Sequence, residues 1–361
     1  MKIREYMMQP CELRKDDPTW KFALGASPTI KGVILQLVDE DGIAGFGYAG
    51  ASPHMGSIAT GLQAELDHFK PHVLGQDAND IAAIMTSIER RLRGASQAKA
   101  AIDCALHDLL ARRLNVPVHQ LFGGKFRDVI PVLRILAIKS PEDMAAQASK
   151  LVGQGYRYLK IKVMGDVTED LARVAAIRRS VGDDVRLTVD ANQSYSVKDA
   201  ISAISKMAAF DIDLVEQPVH ADDFEGLCLV TRSVPVAVEA DEAAGSLSEV
   251  YRLATARAVD AISLKIPKLG GLRNTLAAAH ICEQAGISYR LGAAVGSRLL
   301  ASHALHIACS LRGVSYACEL GEFSRLLDDP FTGLDVMNGE IRLSDASGFG
   351  VRPVEGNAKA S

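Results

Sequence analysis

Hydrophobic positions along this chain follow two periods, and the place where one gives way to the other divides it. In GVILQLVDEDGIAGFGYAG, residues 32–50, two apolar strand-like runs flank a DEDG turn, the pattern of an antiparallel hairpin. From residue 56 to about 123 the apolar residues recur instead at three- and four-residue spacing. HMGSIATGLQAELDHFKPHVL and SQAKAAIDCALHDLLARRL are predicted helices on that ground. LFGGKFRD closes the region with turn residues.

After about residue 128 short β-rich runs alternate with helical stretches. The runs are VIPVLRILAI, YLKIKVM, VRLTVDA, DLVEQPV, PVAVEA, AISLKIP, SYRLGA and SYACELG. Ala-rich amphipathic segments follow them, such as PEDMAAQASKLVGQG, TEDLARVAAIRRSVG and GLRNTLAAAHICEQAG. Eight strand–helix units of this length predict a (β/α)8 barrel. Past residue 325 the chain turns loop-rich and is expected to fold back onto the N-terminal region, with EGNAKAS at the end disordered. The expected fold is therefore α/β. An α+β domain over 1–125 precedes a barrel over 126–325, and a C-terminal segment over 326–361 completes the first domain.

Composition removes several function classes. With 48% hydrophobic residues the chain can bury a core, and a net charge of −4 with few aromatics gives no basic face for nucleic acid. No apolar run of about 18 residues predicts a membrane span, and MKIREYMMQPCELRKDD lacks the apolar stretch of a signal peptide. The six cysteines are scattered without a CxxC pair, so they read as reduced thiols of a cytoplasmic protein.

A barrel carries its chemistry at the C-terminal ends of its strands. Those ends here hold Lys162, Asp190, Glu216, Asp241, Lys265 and Glu319, and the first four gaps are 28, 26, 25 and 24 residues. A polar group thus returns at one phase of five consecutive units, whereas each carboxylate alone would read as a helix cap. Three convergent carboxylates with no His or Cys beside them suit Mg²⁺, or Mn²⁺, rather than zinc. Lys162 precedes these acids and Lys265 follows them, which in a closed barrel sets one amine on each side of the cation. One amine could remove the α-proton of a bound carboxylate substrate, and the other could return a proton to the enediolate. Lys160, in KIK at 160–162, shares a strand face with Lys162 and is expected to depress its pKa or to touch the substrate carboxylate. Lys268 reads as an ion-paired lysine or a second base. Asn192 and Glu242 neighbour the acids and are candidate supports. His303 and His306 read as members of a core helix, and His54 lies in a candidate lid loop.

KIK at 160–162, DAN at 190–192, EQP at 216–218, ADE at 240–242 and LKIPKLGG at 264–271, with AKAAIDCALHDLLARRLNVPVHQLFGG before them, resemble the enolase superfamily, in particular its muconate lactonizing enzyme subgroup. That superfamily as a class pairs a Lys or His base with Mg²⁺. The resemblance implies Asp190, Glu216 and Asp241 as metal ligands and Lys162 and Lys265 as the acid/base pair. It also implies a capping N-terminal domain, whose loops near 20–28 and 51–56 would close over a small carboxylate substrate, and assembly into a homo-oligomer. The mandelate racemase subgroup, with its His–Asp pair, fits less well, because SYRLGAAVGS holds no histidine. Glu319 in CELGEF matches the eighth-strand segment of muconate cycloisomerases, and Arg298 in VGSRLL is a candidate contact for a second anionic group. The expected activity is racemisation or epimerisation of an amino acid derivative. The alternatives are a muconate-type cycloisomerase, a dehydratase and a barrel that binds without turnover.

Overall fold

The computed structural model describes residues 1–354, so the tail EGNAKAS, expected to be disordered, lies outside the described residues. β1 (Ile3–Lys15), β2 (Thr29–Asp39) and β3 (Ala44–Gly50) form an antiparallel sheet. Asp39 shapes the predicted turn: its Oδ1 accepts from the backbone N–H of Asp41 at 3.0 Å and of Ile43 at 2.9 Å. Helices α1 (Ala59–Val73), α2 (Ile81–Arg91) and α3 (Ser96–Leu114) cover the sheet. The alternating glycines of β3 have a steric cause. A Cβ on Gly47 would stand 1.9 Å from the Ala101 carbonyl oxygen, and one on Gly45 would stand 2.3 Å from that of Ala105. Only glycine lets α3 lie this close. Every residue of α3 from Gln97 to Leu109 is buried, because the helix is sandwiched between this sheet and the barrel.

The barrel strands are β4 (Leu133–Leu136), β5 (Tyr158–Lys162), β6 (Arg186–Asp190), β7 (Ile212–Glu216), β8 (Ala237–Ala240), β9 (Ala261–Lys265) and β10 (Ser288–Gly292). They pair in parallel, each with its sequence neighbours. The eighth run, SYACELG, closes the ring through isolated parallel bridges rather than as a regular strand, Gly292 to Glu319 on one side and Val132 to Cys318 on the other.

Two expectations need correction. Among the described residues no α-helix follows the eighth run: Glu322–Arg325 makes one 3₁₀ turn, and the Glu322 carboxylate accepts from the Ile135 N–H at 3.2 Å, tying the chain to β4. VIPVLRILAI is not one strand either. Pro131 has no N–H to donate, so Val129–Pro131 pairs antiparallel with Glu340–Arg342 and the barrel strand starts at Leu133.

After the barrel, Leu326–Leu327 pairs with the end of β1. The backbone N–H of Phe349 then donates to Asp108 on α3, whose carboxylate also receives the Phe46 N–H. Among the described residues no helix is long and apolar enough to cross a membrane, and all six cysteines are free and buried.

The helix after β10, α4 (Arg298–Ser310), buries His303 and His306, as its spacing predicted. His306 Nδ1 accepts from the His119 N–H at 3.2 Å, which requires an unprotonated Nδ1. Burial pushes both imidazoles down to about 3. Unfolded histidine binds its proton near pH 6.5, so the unfolded chain takes up protons first as the pH falls. Stability should hold above about pH 6.5 and decline between there and pH 3, by up to roughly 1.4 kcal/mol per pH unit for each histidine. Urea denaturation at pH 7, 5.5 and 4.5 measures that slope. It should be shallower in His306→Asn, and an equal slope in the variant would refute the assignment.

Candidate active site

Side chains alternate in and out along a strand, so parity decides what faces the barrel interior. Lys162 pairs in register with Asp190 and Asp190 with Glu216, which sets these three at one level on neighbouring strands. On the far side Lys265 pairs with Gly292, and Gly292 bridges to Glu319. A Cβ on Gly292 would stand 2.8 Å from Lys265 Cε, so this glycine makes room for the lysine to cross the barrel mouth. Lys162 lies on the second strand and Lys265 on the sixth, half-way round an eight-membered ring.

The turns after β6 and β7 are built on unusual backbone. Asn192 and Gln217 both have positive φ, 41° and 36°. Asparagine tolerates that region, whereas glutamine does so under strain that its surroundings must hold. Gln217 is fully buried, its Oε1 accepts from the N–H of Asp241 and of Ala243 at 3.0 Å each, and its Nε2 donates to the Val219 carbonyl. The EQP turn thereby fixes the start of the ADE turn.

Buried ion pairs join the barrel-end groups. Lys160 Nζ lies 2.8 Å from Asp190, 2.7 Å from Glu216 and 2.5 Å from Glu319. Lys162 Nζ donates to Asp190 Oδ2 at 2.5 Å and to Asn192 Oδ1 at 2.7 Å. Lys265 donates to Asp241 Oδ2 and Lys268 to Asp241 Oδ1, each at 2.5 Å. Lys268 also donates to the carbonyls of Asp241 and Ser263, which uses all three of its protons. Glu242 accepts from the Asn192 amide at 3.1 Å.

The electrostatics follow from these contacts. Burial opposes the charge on Lys160, but Asp190, Glu216 and Glu319 override it and raise its pKa well above that of an ordinary lysine. Burial also opposes the charge on Lys265, and Asp241, Glu319 and Glu216 override it in the same direction. For Glu319 burial is outweighed by Lys160 and Lys265, and its carboxyl falls to about 2. Asp241 is held well below the carboxylate range by Lys265 and Lys268 despite its burial. Glu216 goes the other way: burial, then the neighbouring Asp190, push it well up.

The structure changes the reading of two residues. Lys160 and Lys162 do not face each other as bare charges, because the Asp190 carboxylate lies between them and accepts from both. Lys160 is committed to three acids. Arg298 does not point into the cavity. It begins α4, and its guanidinium donates to the Leu334 carbonyl at 3.0 Å and lies 3.4 Å from Asp329, on the side of the C-terminal segment.

Sequence reading also missed a layer. Arg290 is 1% exposed and donates through Nε and Nη2 to Glu239, and through Nη2 to Glu216. Both residues were open to discovery by parity, since Glu239 stands two before Asp241 and Arg290 two before Gly292.

Above the barrel ends lies a cavity of about 440 Å³. Lys160, Lys162, Asn192, Asp241, Lys265 and Glu319 face it from the barrel, and the segments Trp20–Ser27 and Ala51–Met55 roof it, among other residues. The Phe22 ring sits 5.5 Å from Lys162 Nζ and 5.3 Å from the His54 ring. Burial, then Lys265, lower the pKa of His54 to about 4.

Among the described residues no group of three or more His, Cys, Asp or Glu side chains is arranged as it stands to hold a metal ion. The acids are turned onto lysines. The donor set nevertheless fits a hard divalent cation, with oxygen ligands at neighbouring strand ends. Glu216 Oε1 is buried without a hydrogen-bond partner, and its carboxyl is pushed up, so this is where the site lacks positive charge.

Residues 7–123 match the family described as Mandelate racemase / muconate lactonizing enzyme, N-terminal domain, and residues 143–357 match Enolase C-terminal domain-like. The chain is 33% identical to a hydrophobic dipeptide epimerase of Enterococcus faecalis over 355 residues, 97% of this chain and 99% of the relative. The structure of the E. faecalis dipeptide epimerase with Mg and L-Leu-L-Tyr superposes with a TM-score of 0.92, covering 97% and 99% of the two chains. An N-succinyl Arg/Lys racemase from Bacillus cereus superposes with a TM-score of 0.95 at 30% identity, covering 98% of this chain and 96% of the other. A chloromuconate cycloisomerase of Cupriavidus necator is 36% identical over 328 residues, 88% of each chain.

Proposed function

Because this chain belongs to the mandelate racemase / muconate lactonizing enzyme family and is an isomerase of the enolase superfamily, we propose that it exchanges the α-proton of a carboxylate substrate between two opposed lysines, racemising or epimerising an amino acid derivative. The observation that carries this reading is the pair Lys162 and Lys265, half-way round the ring from each other and both lining one cavity. Two bases on opposite faces are the minimum for proton exchange at both.

In one direction Lys162 takes the α-proton and Lys265 delivers one to the opposite face of the enediolate; in the other their roles reverse. Asn192 and Asp190 aim the Lys162 ammonium, and Asp241 aims that of Lys265. Lys268 anchors Asp241 from the far oxygen, and Lys160 holds Asp190, Glu216 and Glu319 together. Lys162 is buried, with the Phe22 ring 5.5 Å from its Nζ. A divalent cation on Asp190, Glu216 and Asp241, Mg²⁺ by preference, would stabilise the enediolate's charge and compete with the lysines for their carboxylates.

The test is deuterium wash-in at the α-carbon in D₂O with millimolar Mg²⁺, across N-acyl amino acids, dipeptides and muconates. A racemase places deuterium in both enantiomers. Lactone formation from muconate without such exchange would instead establish cycloisomerisation, the second reading, which the cycloisomerase relative and Glu319 on the eighth strand favour. Exchange with no member of the panel would oppose the racemase reading. Independently of substrate, Mg²⁺ at about 100 times its Kd should stabilise the fold by about 2.7 kcal/mol. The melting temperature should rise accordingly, and Glu216→Gln should lose the rise. No shift in the wild type would contradict the metal assignment.

A further inference from the structure

We propose that the substrate of this site carries a second carboxylate, remote from the reacting carbon, and that Lys15 receives it. The inference rests on the isomerase reading and adds a specificity residue in the capping domain to it. It begins with strand parity. On β1, Cys11 and Leu13 are buried toward the barrel, and Lys15 continues the same face to the strand's end, where it lines the cavity half-buried. Its Nζ stands 4.2 Å from the centroid of the Trp20 ring, itself buried in the cavity wall. An aromatic face holds a cation in place without neutralising it.

Among the described residues the Lys15 ammonium has no ion pair and no hydrogen bond. The acids nearest in charge, Glu322 and Asp17, are spoken for: Glu322 by Arg134 at 3.3 Å and Asp17 by Lys139 at 2.8 Å. Arg325, also close by, adds repulsion, and burial followed by that arginine brings Lys15 down to about 8. A half-buried cation in this position gains from any anion that reaches it.

The rest of the cavity decides what that anion belongs to. Its lining holds two carboxylates, Asp241 and Glu319, both at the barrel end and both paired with lysines there. The cap side mixes Trp20, Phe22, Leu24, Met55 and Ile58 with hydroxyls and a second cation, Lys31, which is exposed and lies 4.0 Å from Glu12. The free ammonium of a dipeptide would meet Lys15, Lys31 and hydrocarbon on that side and no acid. A neutral acyl group would bury Lys15 further with nothing to compensate it. A carboxylate at the far end of the substrate satisfies the lysine, and two chemistries supply one: an N-succinyl amino acid and a muconate-like diacid.

A matched series separates these. Steady-state α-exchange is measured for N-succinyl-L-phenylalanine, N-acetyl-L-phenylalanine and L-Ala-L-Phe, with cis,cis-muconate lactonisation as the fourth arm, on wild type, Lys15→Gln and Lys15→Arg. The expected kcat/KM for the succinyl compound exceeds that for the acetyl compound by about 10- to 100-fold. Lys15→Gln should erase the preference through the KM of the succinyl compound, with its kcat held, and Lys15→Arg should keep it. A structural role for Lys15 would instead lower all substrates together. Muconate turnover with a KM raised in Lys15→Gln, and no α-exchange anywhere, would support the second-carboxylate site while overturning the racemase reading. Equal acetyl and succinyl rates, a preference for the dipeptide, or a succinyl preference that survives in Lys15→Gln would overturn the Lys15 assignment and leave the racemase reading standing. Turnover of none of the four overturns both.

Discussion

Lys162→Ala and Lys265→Ala should each lower the racemisation rate by about 10³-fold or more, at the upper end of what one positioned acid or base contributes. The loss should fall on kcat, because neither change removes a group that holds the substrate's remote end. The fold should survive both changes. Asp190 keeps Lys160 after the first, at 2.8 Å, and Asp241 keeps Lys268 after the second, at 2.5 Å. Melting temperatures within a few degrees of wild type would show that activity was lost for chemical reasons. Full activity in either variant would end the two-base scheme.

The largest stability effect should come from a residue that touches no substrate. Arg290→Met should destabilise the protein by about 3–5 kcal/mol, because it strands the buried Glu239 carboxylate and leaves Glu216 with Lys160 alone, rather than removing a whole ion pair. Glu216 and Glu239 are both fully buried, and Arg290 donates to each. The desolvation of the two acids remains after the cation is gone, and their mutual repulsion is added. Urea denaturation at pH 7 measures the loss. The double variant Arg290→Met/Glu239→Gln should recover part of it, since one stranded charge has been neutralised. A single-variant effect under about 1 kcal/mol would mean that the arginine is not the counter-charge of this layer.

That layer also marks where sequence reading stopped. The strand-end motifs KIK, DAN, EQP, ADE and LKIPK were legible because a barrel repeats one phase every unit, and polar residues at that phase stand out against apolar strands. The ring below them hid inside the strands. Glu239 and Arg290 look like isolated charges in PVAVEADE and SYRLGA, and their partnership is between strands that are not neighbours. Only counting back two residues from each strand end brings them together.

Arg298 was misplaced for a different reason. Its position after the seventh strand pointed toward the cavity, but it opens α4, and the acids that draw its side chain away come from the returning C-terminal segment. The same segment explains the absent eighth helix, since Glu322 binds the first barrel strand. Lys15 was invisible because its role depends on how the capping sheet docks over the barrel mouth. No local pattern in ELRKDD states that.

The opposed placement of the two lysines can be tested most directly by following hydrogen exchange from one enantiomer at a time. Each pure enantiomer of a substrate from the panel is incubated in D₂O with Lys162→Ala and, separately, with Lys265→Ala, and α-deuterium is read by NMR. Each variant should still exchange the enantiomer whose proton faces its remaining lysine and fail on the other, with opposite preferences for the two proteins. Exchange of the same enantiomer by both variants would place the lysines on one side of the substrate, and exchange of both enantiomers by either one would mean that another base serves the second face; either result contradicts the account.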